Sequence, residues 1–299
     1  MHNEKIVVFD LGGSAVKFGI WQDNHLTNQG QFTTPTTWGK LKEKLFQIKE
    51  SLCDDAMGIA MSCPGAVSVR DGIIYGNSAI PYIHNFLIRN ELTDLFQLPV
   101  SIQNDANCAA LAEVWRGNAR NVDSAVFMII GSGIGGAFTF QGNLMIGKHL
   151  FGGEFGWMLV NNHQTLSEVG SPVKMAQKFS EIKGDKVYTG KEVFTLYEHG
   201  DELAVTLVDK MLDALAIGLY NLCISYDADR YLIGGGISAR SDVITKLQLK
   251  VKQLLNLYDA SEIHPEIRAC RFLNEANLIG AVYQFMLEKE NVKPKKVSL

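Results

Sequence analysis

A glycine-rich turn with a charged residue on each side lies near the start of the sequence. Asp10 and Lys17 flank the segment Gly12-Gly13-Ser14, and the runs before and after it are largely apolar. This pattern predicts two antiparallel strands joined by a tight turn. Glycine lets a backbone approach a phosphate with its N–H groups facing the anion, and a carboxylate beside phosphates commonly holds Mg²⁺ directly or through water. The same pattern is also typical of an ordinary β-hairpin with a charged turn.

The pattern occurs a second time in the middle of the chain. Residues 125–140 again consist of an apolar run, the turn Gly131-Ser132-Gly133 and a second apolar run. A repeated strand–turn–strand unit indicates an internal duplication. Two related halves that each present a glycine turn could hold a polyphosphate between them. Neither turn is a Walker loop, and neither has the dinucleotide-binding pattern, because a strand and not a helix follows it.

Two further segments place chemically useful residues directly after predicted strands. Asp105 stands where a strand gives way to an alanine-rich helix. Capping that helix is the ordinary role there, and a reactive carboxylate at the carboxyl edge of a sheet is the functional alternative. The segment Gly234-Gly235-Gly236 also follows a strand and precedes a helix. It indicates either a tight connection or the close approach of a bulky ligand such as an adenosine moiety.

The elements that must position these residues form an ordered series. Each half begins with a meander of strands and continues into helices, which predicts a duplicated ribonuclease-H-like α/β core and not a simple doubly wound domain. We expect an N-terminal domain of residues 1–116 plus 277–299 and a C-terminal domain of residues 117–276, with the active site in the cleft between them. Helices are predicted at 85–96, 106–115, 202–224, 241–255 and 277–290, and a polar surface turn at 183–191.

Composition narrows the class of protein. The 299 residues carry a net charge of −4 and contain no long basic run, so a nucleic-acid surface is not indicated. The five cysteines are scattered without a CxxC pair, which favours reduced core thiols in a cytoplasmic protein over disulfides or a cysteine metal site. No signal peptide is expected, because Asp10 interrupts the first apolar run. Charged residues inside the most apolar predicted helix, 202–224, argue against a membrane span.

Several segments, in order along the chain, resemble the motifs of the ROK family of sugar kinases and repressors, which belongs to the actin/hexokinase-like superfamily. The glycine turns at 12–14 and 131–136 resemble its first and second phosphate motifs. The remaining resemblances are Asn104-Asp105-Ala106-Asn107 to its catalytic segment, Gly153-Glu154-Phe155-Gly156 to its GE[IF]GH segment, and Gly234-Gly235-Gly236-Ile237 to its adenosine motif.

Two departures from the family pattern concern zinc. Trp157 stands where the family has a histidine after GE[IF]G, and residues 161–168 contain none of the cysteines of the family's CxCGxxGCxE pattern. In zinc-bearing members that histidine and those cysteines are the zinc ligands, so we predict no structural zinc here. Glu168 is carried over as the glutamate that closes the cysteine motif and contacts the sugar. Its ordinary role, at the start of a helix, is to complement the helix dipole.

The resemblance implies ATP-dependent phosphorylation of a sugar hydroxyl with Mg²⁺. Asp105 would accept the proton of the attacking hydroxyl, O6 of a hexose, and Asp10 would orient Mg²⁺ through water. Lys17 would lie on the phosphate side of its hairpin, although a surface lysine on a strand is its ordinary interpretation. The other implied contacts are to phosphate or nucleotide for Gly12, Gly13, Ser14, Gly131, Ser132, Gly133, Gly234, Gly235 and Gly236, and to sugar for Asn77, Asn104, Asp105, Glu154, Trp157 and Glu168.

The substrate prediction depends on Trp157 and on the resemblance to zinc-free members of the family. An aromatic face can stack on a pyranose ring or on a group attached to C1, which favours a kinase of β-glucosides. Glucokinase and N-acetylmannosamine kinase are the alternatives, and a non-catalytic sugar sensor is the alternative of another class. ROK repressors carry a DNA-binding domain ahead of this core, and we expect none here because Asp10 already belongs to the first motif. The expected partner is a small-molecule sugar, without nucleic acid or membrane, and a homodimer is among the expected assemblies.

Overall fold

The computed structural model describes residues 4–292, so the outermost residues of the expected N-terminal domain, 1–3 and 293–299, lie outside the described part. The chain folds into two compact units. The first unit runs to Arg116 and resumes at Glu275, and the second unit is Gly117–Asn274. Within residues 4–292, no helix has the length and apolar character needed to cross a membrane.

The elements follow one another in chain order. The first unit contains β1 (Lys5–Leu11), β2 (Ala15–Gln22), β3 (His25–Thr33), α1 (Trp38–Leu52), β4 (Ala56–Cys63), β5 (Ala66–Ser68), β6 (Ile73–Tyr75), α2 (Ile88–Phe96), β7 (Val100–Asn104) and α3 (Asp105–Arg116). The second contains β8 (Ser124–Ile130), β9 (Ile134–Phe140), β10 (Asn143–Leu144), β11 (Leu159–Val160), β12 (Gln164–Thr165), α4 (Leu166–Gly170), α5 (Pro172–Lys183), α6 (Gly190–Glu198), α7 (Glu202–Tyr226), β13 (Arg230–Gly234), α8 (Ser241–Leu257) and β14 (Ile267–Ala269). The chain then returns to the first unit as α9 (Ala276–Val292).

The two main sheets have the same topology. The strand order is β3-β2-β1-β4-β7 in the first unit and β10-β9-β8-β13-β14 in the second. In each sheet the first three strands form an antiparallel meander, and the last two join in parallel. Parallel strands need a crossover, and helices provide it in both units. The prediction of an internal duplication with a ribonuclease-H-like core is therefore confirmed.

A row of polar residues crosses four strands of the sheet in the first unit. Lys17 lies opposite Asp10, Asp10 opposite Ser62, and Ser62 opposite Gln103 on four neighbouring strands. Residues in register across a sheet project from the same face, so these side chains form one line. Helix α9 meets this face with polar groups of its own. The amide of Gln103 donates to Gln284 Oε1 at 3.2 Å, which satisfies a buried polar group that would otherwise be costly.

Helix α9 is also fastened to α3 by aromatic packing. Trp115 stacks on Tyr283 with ring centroids 5.1 Å apart, and Trp21 packs on the same indole at 5.2 Å. The guanidinium of Arg116 lies 4.1 Å from the Trp115 ring. Such contacts add to the area that the rings bury. The cluster lies at the end of α3, where the first unit gives way to the second.

The predicted helices are mostly present, with two corrections. Helix α7 begins after Asp201, whose side chain caps it by accepting from Ala204 N at 2.9 Å. The expected polar turn at 183–191 is wrong at both ends, because helix α5 includes Lys183 and helix α6 begins at Gly190. A capping box between Thr189 and Glu192 starts that helix. Helix α2 begins at Ile88 and not at residue 85, with Leu87 exposed in front of it.

Candidate active site

Asp10 has one carboxylate oxygen held by neighbours. It lies near the end of β1 and is only 7% exposed. Ser62 Oγ donates to Asp10 Oδ1 at 2.7 Å, and Asn277 Nδ2 donates to the same oxygen at 3.1 Å. Within residues 4–292, Oδ2 has no hydrogen-bond donor. The carboxylate is therefore fixed through one oxygen, and the second is available to a ligand.

The first glycine turn follows Asp10 directly. The N–H of Gly12 donates to Ala15 O at 3.1 Å. A Cβ on Gly12 would lie 2.6 Å from that same carbonyl oxygen, so the turn itself requires glycine here. Thr34 closes the turn from the side, with its hydroxyl on Gly12 O at 2.5 Å and its N–H on Ser14 O at 3.1 Å.

Lys17 returns from this turn on β2, directly opposite Asp10 in the antiparallel register. It is half-buried, and in the described part of the chain its ammonium group forms no ion pair. A lysine on a strand surface would show the same features. Its predicted role on the phosphate side of the hairpin stays a prediction.

Asp105 is the first residue of α3, and its neighbour Asn104 supplies the cap. The N–H of Asn107 donates to Asn104 Oδ1 at 3.1 Å. Asn104 Nδ2 donates to Gly65 O and to Asp105 Oδ1, both at 3.0 Å. The ordinary role considered for Asp105 thus belongs to Asn104, whose amide hydrogens are both engaged within the protein. An ionised Asp105 in the first helical turn is stabilised by the helix dipole.

The two carboxylates influence the same pair of buried thiols. Burial raises the pKa of Cys63 and of Cys108, and the negative charges of Asp10 and Asp105 raise both pKa values further. Asp10 and Asp105 therefore belong to one electrostatic neighbourhood in the first unit. They are 95 positions apart in the sequence, Asp10 near the end of β1 and Asp105 directly after β7, and the parallel order β1-β4-β7 brings them to the same edge of the sheet.

The loop that carries Asn77 lies against the first glycine turn. A Cβ on Gly13 would lie 2.6 Å from the Cβ of Ala79. Asn77 itself is exposed, and its Oδ1 accepts from Ser78 N at 2.9 Å. Its side-chain amide donors have no acceptor in the part of the chain that the structure describes. The loop is tied down further by Ser78 Oγ and His84 Nε2, which are 2.8 Å apart.

The second glycine turn is held by two serines. The N–H of Gly131 donates to Gly133 O at 2.9 Å. Ser171 Oγ lies 2.8 Å from Gly131 O and 3.0 Å from Ser132 O. Ser167 Oγ accepts from the N–H of Ile134 at 2.9 Å, directly after the turn. Sequence reasoning assigned no role to either serine, and no local signal indicates one, because their partners are more than 30 residues away.

Glu154 is carried by a segment packed tightly on β9. Gly153 has φ +95°, and a Cβ on it would lie 2.5 Å from Gly136 O. Glu154 is half-buried, and burial raises the pKa of its carboxyl. Its carboxylate has no hydrogen-bond partner within the described residues. Trp157 follows after one short turn, in which its N–H donates to Glu154 O at 3.1 Å, and its side chain is 68% exposed.

Glu168 has a local structural role. Its Oε2 accepts from Thr165 N at 2.7 Å and from Thr165 Oγ1 at 2.9 Å, which completes a capping box at the start of α4. These bonds hold the pKa of the Glu168 carboxyl below its usual value. The predicted contact of Glu168 with sugar stays a prediction beside this cap.

The triple glycine lies beside the second turn. Gly235 has φ +85°, and a Cβ there would clash with the backbone carbonyl of Ile130, the residue before the turn. Gly234 packs against the side chain of Ile129. Around Gly236, by contrast, a Cβ would meet no atom within 4 Å. The second unit thus brings together the glycines at 131–133 and 234–236.

The chemistry of Asp10 fits magnesium. Mg²⁺ prefers oxygen ligands, keeps several waters and is commonly held by one carboxylate together with substrate phosphates. Asp10 Oδ2 offers such an oxygen. Residues 4–292 contain no cluster of three or more His, Cys, Asp or Glu that could hold a metal ion. The expected absence of a structural zinc stays a prediction.

Comparison with known proteins gives a consistent result. The sequence model of the ROK family matches residues 6–287. The β-glucoside kinase of Listeria innocua serovar 6a is 34% identical over 298 residues, which cover 95% of this chain and 98% of that protein. The β-glucoside kinase of Klebsiella pneumoniae is 32% identical, with 94% of this chain and 96% of that protein covered.

A solved structure shows the same fold. The crystal structure of a ROK family protein from Streptococcus pneumoniae TIGR4 in complex with sucrose has a TM-score of 0.87 and 32% sequence identity. The match covers 96% of this chain and 99% of that one. The expected actin/hexokinase-like α/β fold is thereby confirmed.

Proposed function

Because the chain belongs to the ROK family, we propose that it is an ATP-dependent kinase that transfers the γ-phosphate to O6 of a β-glucoside. Relatives at 32–34% identity over almost the whole chain are named β-glucoside kinase. The structural observation that carries the substrate proposal is Glu154 beside Trp157. A half-buried carboxylate that has no hydrogen-bond partner among the described residues, one short turn before an exposed indole, suits a sugar ring that offers hydroxyls and an apolar face.

Nucleotide binding is supported by glycines that the chain itself does not need. Neither Gly131 nor Gly236 has a left-handed backbone. A Cβ on Gly131 would find its nearest neighbour at 3.9 Å, and one on Gly236 would meet open space. In this proposal the phosphates approach the turns at 12–14 and 131–133, and adenosine approaches 234–236. The close approach of a bulky ligand explains why both positions are glycine.

Phosphoryl transfer depends mainly on positioning and on charge neutralisation. We assign Asp105 as the base that accepts the proton of the attacking hydroxyl, since the helix dipole and its hydrogen bonds favour the ionised carboxylate. Asp10 would hold Mg²⁺ through water, and the bound ion would neutralise phosphate charge. Lys17 would add a positive charge on the same row.

We assign sugar recognition to polar side chains that can still form hydrogen bonds. Glu154 and Asn77 have such capacity, because the carboxylate of the first and the amide donors of the second form no hydrogen bond within residues 4–292. Asn104 retains only acceptor capacity at Oδ1, and Glu168 shares its carboxylate with a helix cap. Trp157 would stack on the group attached to C1. A cytoplasmic location and a homodimeric assembly are part of the proposal on the family resemblance alone.

The decisive experiment measures ADP release with ATP–Mg²⁺ against cellobiose, an aryl β-glucoside, glucose and N-acetylmannosamine. We expect kcat/KM for the β-glucosides to exceed that for glucose by about tenfold or more, the scale of one well-placed apolar contact. Trp157→Ala should remove this preference and leave glucose turnover almost unchanged. Leu159→Ala is the matched control, because Leu159 is also exposed and lies two residues further on.

The outcomes separate the substrate from the activity. A wild-type preference for free glucose or for N-acetylmannosamine would contradict the β-glucoside assignment and leave a sugar kinase. Absence of turnover on every sugar, with sugar binding still measurable, would identify a sensor and contradict the kinase.

A further inference from the structure

Two hydroxyl groups hold the carbonyl groups of the two glycine turns. In the first unit, Thr34 Oγ1 donates to Gly12 O at 2.5 Å. In the second unit, Ser171 Oγ lies within hydrogen-bond distance of Gly131 O, at 2.8 Å, and of Ser132 O, at 3.0 Å. Each unit therefore has a hydroxyl on the first glycine carbonyl of its turn, although Thr34 follows strand β3 and Ser171 precedes helix α5.

The direction of a carbonyl determines the direction of the next N–H. The peptide group is planar and trans, so its C=O and the following N–H point in opposite directions. A hydroxyl that holds Gly12 O on one side consequently aims the N–H of Gly13 to the other. In the same way, Ser171 aims the N–H groups of Ser132 and Gly133. Consecutive N–H groups that converge on one side of a turn form an anion-binding concavity.

These N–H groups are available. Across residues 4–292, the backbone N–H groups of Gly13, Ser132 and Gly133 have no hydrogen-bond acceptor. An unrestrained turn could rotate a carbonyl oxygen into this face, where its partial negative charge would repel a phosphate. The hydroxyls of Thr34 and Ser171 prevent that rotation by giving each carbonyl a partner on the opposite side.

Local hydroxyl-to-backbone bonds are common and have no such significance. Ser238 Oγ donates to Gly235 O at 2.7 Å from three residues away and is of this local kind. Thr34 and Ser171 are 22 and 40 positions from their glycine acceptors, so each bond exists only in the folded unit. Ser171 also caps α5 by accepting from Val173 N, whereas Thr34 caps no helix.

We propose that Thr34 and Ser171 are positioning residues for the nucleotide phosphates, acting through the carbonyl groups that they hold. The inference rests on the proposed function, because it takes the two turns as the phosphate-binding elements. It assigns a positioning role to one residue in each unit, Thr34 and Ser171, and neither of these residues is proposed to touch the nucleotide itself.

Thr34→Val is the diagnostic variant, because valine keeps the shape of threonine and removes only the hydroxyl. The backbone bond from Thr34 N to Ser14 O is retained. We expect the Kd of ATP–Mg²⁺, measured by calorimetry, and the KM for ATP to rise about five- to tenfold. The KM for the sugar and the Tm should stay unchanged. Thr34→Ser should restore ATP affinity, and Thr33→Val, an exposed neighbour on β3, is the matched control.

Three results would overturn the inference. Unchanged ATP affinity in an active Thr34→Val enzyme would remove the role of the hydroxyl. Equal losses for ATP, sugar and Tm would reduce Thr34 to a structural residue, and failure of Thr34→Ser to restore affinity would assign the effect to packing. A wild-type protein that does not bind ATP would instead overturn the proposed function, and this inference with it.

Discussion

The two units carry the same sheet but differ in what flanks their glycine turns. Two residues before the first glycine of each turn, the first unit has Asp10 and the second has Ile129. Opposite these residues in register stand Lys17 in the first unit and Gly135 in the second. The first unit therefore has two charged side chains beside its turn, whereas the second unit has an apolar side chain and a glycine at the matching positions.

The missing side chains of the second unit make room for another segment. A Cβ on Gly136 would clash with the ring of Phe155, and one on Gly156 would clash with the carbonyl of Ile134. These close approaches seat the segment that carries Glu154 directly on β9. The two copies of the duplicated core therefore have different features: the first keeps ionic groups on its sheet, and the second has glycines that make room for the segment carrying Glu154.

The largest effect is expected for Asp105→Asn in the first unit. The N–H of Ala106 donates to Asp105 Oδ1 at 2.8 Å, and asparagine keeps an oxygen for this bond. Asparagine cannot accept a proton as a base, so kcat should fall about a thousandfold while sugar binding remains. Single-turnover kinetics and sugar titration would measure the two separately. Asp54→Asn, at an exposed position, is the control. Near-normal turnover of Asp105→Asn would contradict its assignment as the base.

A direct test of the charge asymmetry compares Asp10→Asn with Ile129→Val. The introduced amide would retain an acceptor for Ser62 and Asn277 but not the charge, so kcat should fall about 10- to 100-fold, with a higher Mg²⁺ requirement. The matched change in the second unit should leave both unchanged. An equal loss of kcat in the two variants would show that the charge difference between the two units does not affect phosphoryl transfer.

The two turns should also respond differently to a methyl group. Gly131→Ala has space in the folded chain, so the Tm should hold while the KM for ATP rises about tenfold. Gly12→Ala places its Cβ 2.6 Å from Ala15 O and should cost about 1–3 kcal/mol of unfolding free energy. Thermal denaturation and ATP kinetics on both variants distinguish a ligand requirement from a structural one. A destabilised Gly131→Ala protein would contradict the ligand explanation.

The smallest effect concerns Glu154. Because burial raises the pKa of its carboxyl above the usual 4.5, its ionised form destabilises the folded protein at neutral pH, and this penalty disappears as the pH falls below 4.5. Glu154→Gln should therefore raise the Tm by about 1–2 °C at pH 7 and leave it unchanged near pH 4. Glu262→Gln, an exposed carboxyl, is the control. A gain that persists at pH 4 would show that the effect is not due to the charge.

Much of the fold could be predicted, because its signals are local and repeated. The two strand–turn–strand units show their duplication in the order of apolar runs and glycines. The sequence pattern does not predict helix α6, because Gly190 and its polar neighbours resemble a loop, although the spacing of Thr189 and Glu192 is that of a capping box. The sequence predicts too early a start for helix α2, because Phe86 and Leu87 extend its apolar pattern without joining the helix.

The predicted site residues could be found as motifs, but their supporting partners could not. Ser62 and Asn277 hold Asp10 from positions 52 and 267 residues away. No spacing rule connects such residues, because the parallel strand order and the return of α9 to the first unit create the contacts. The sequence does not decide which residue caps α3, for a related reason. Asn104 and Asp105 are both of types that commonly cap helices, and only the backbone geometry distinguishes between them.

The buried cysteines near Asp10 and Asp105 can be used as internal probes of local unfolding. A thiol reagent reacts with thiolates that solvent can reach, and Cys63 and Cys108 are buried with raised pKa values. Cys223 and Cys270 are buried in the second unit. The order in which the four thiols become modified during gentle denaturation would therefore reveal, without an added label, whether one unit opens before the other.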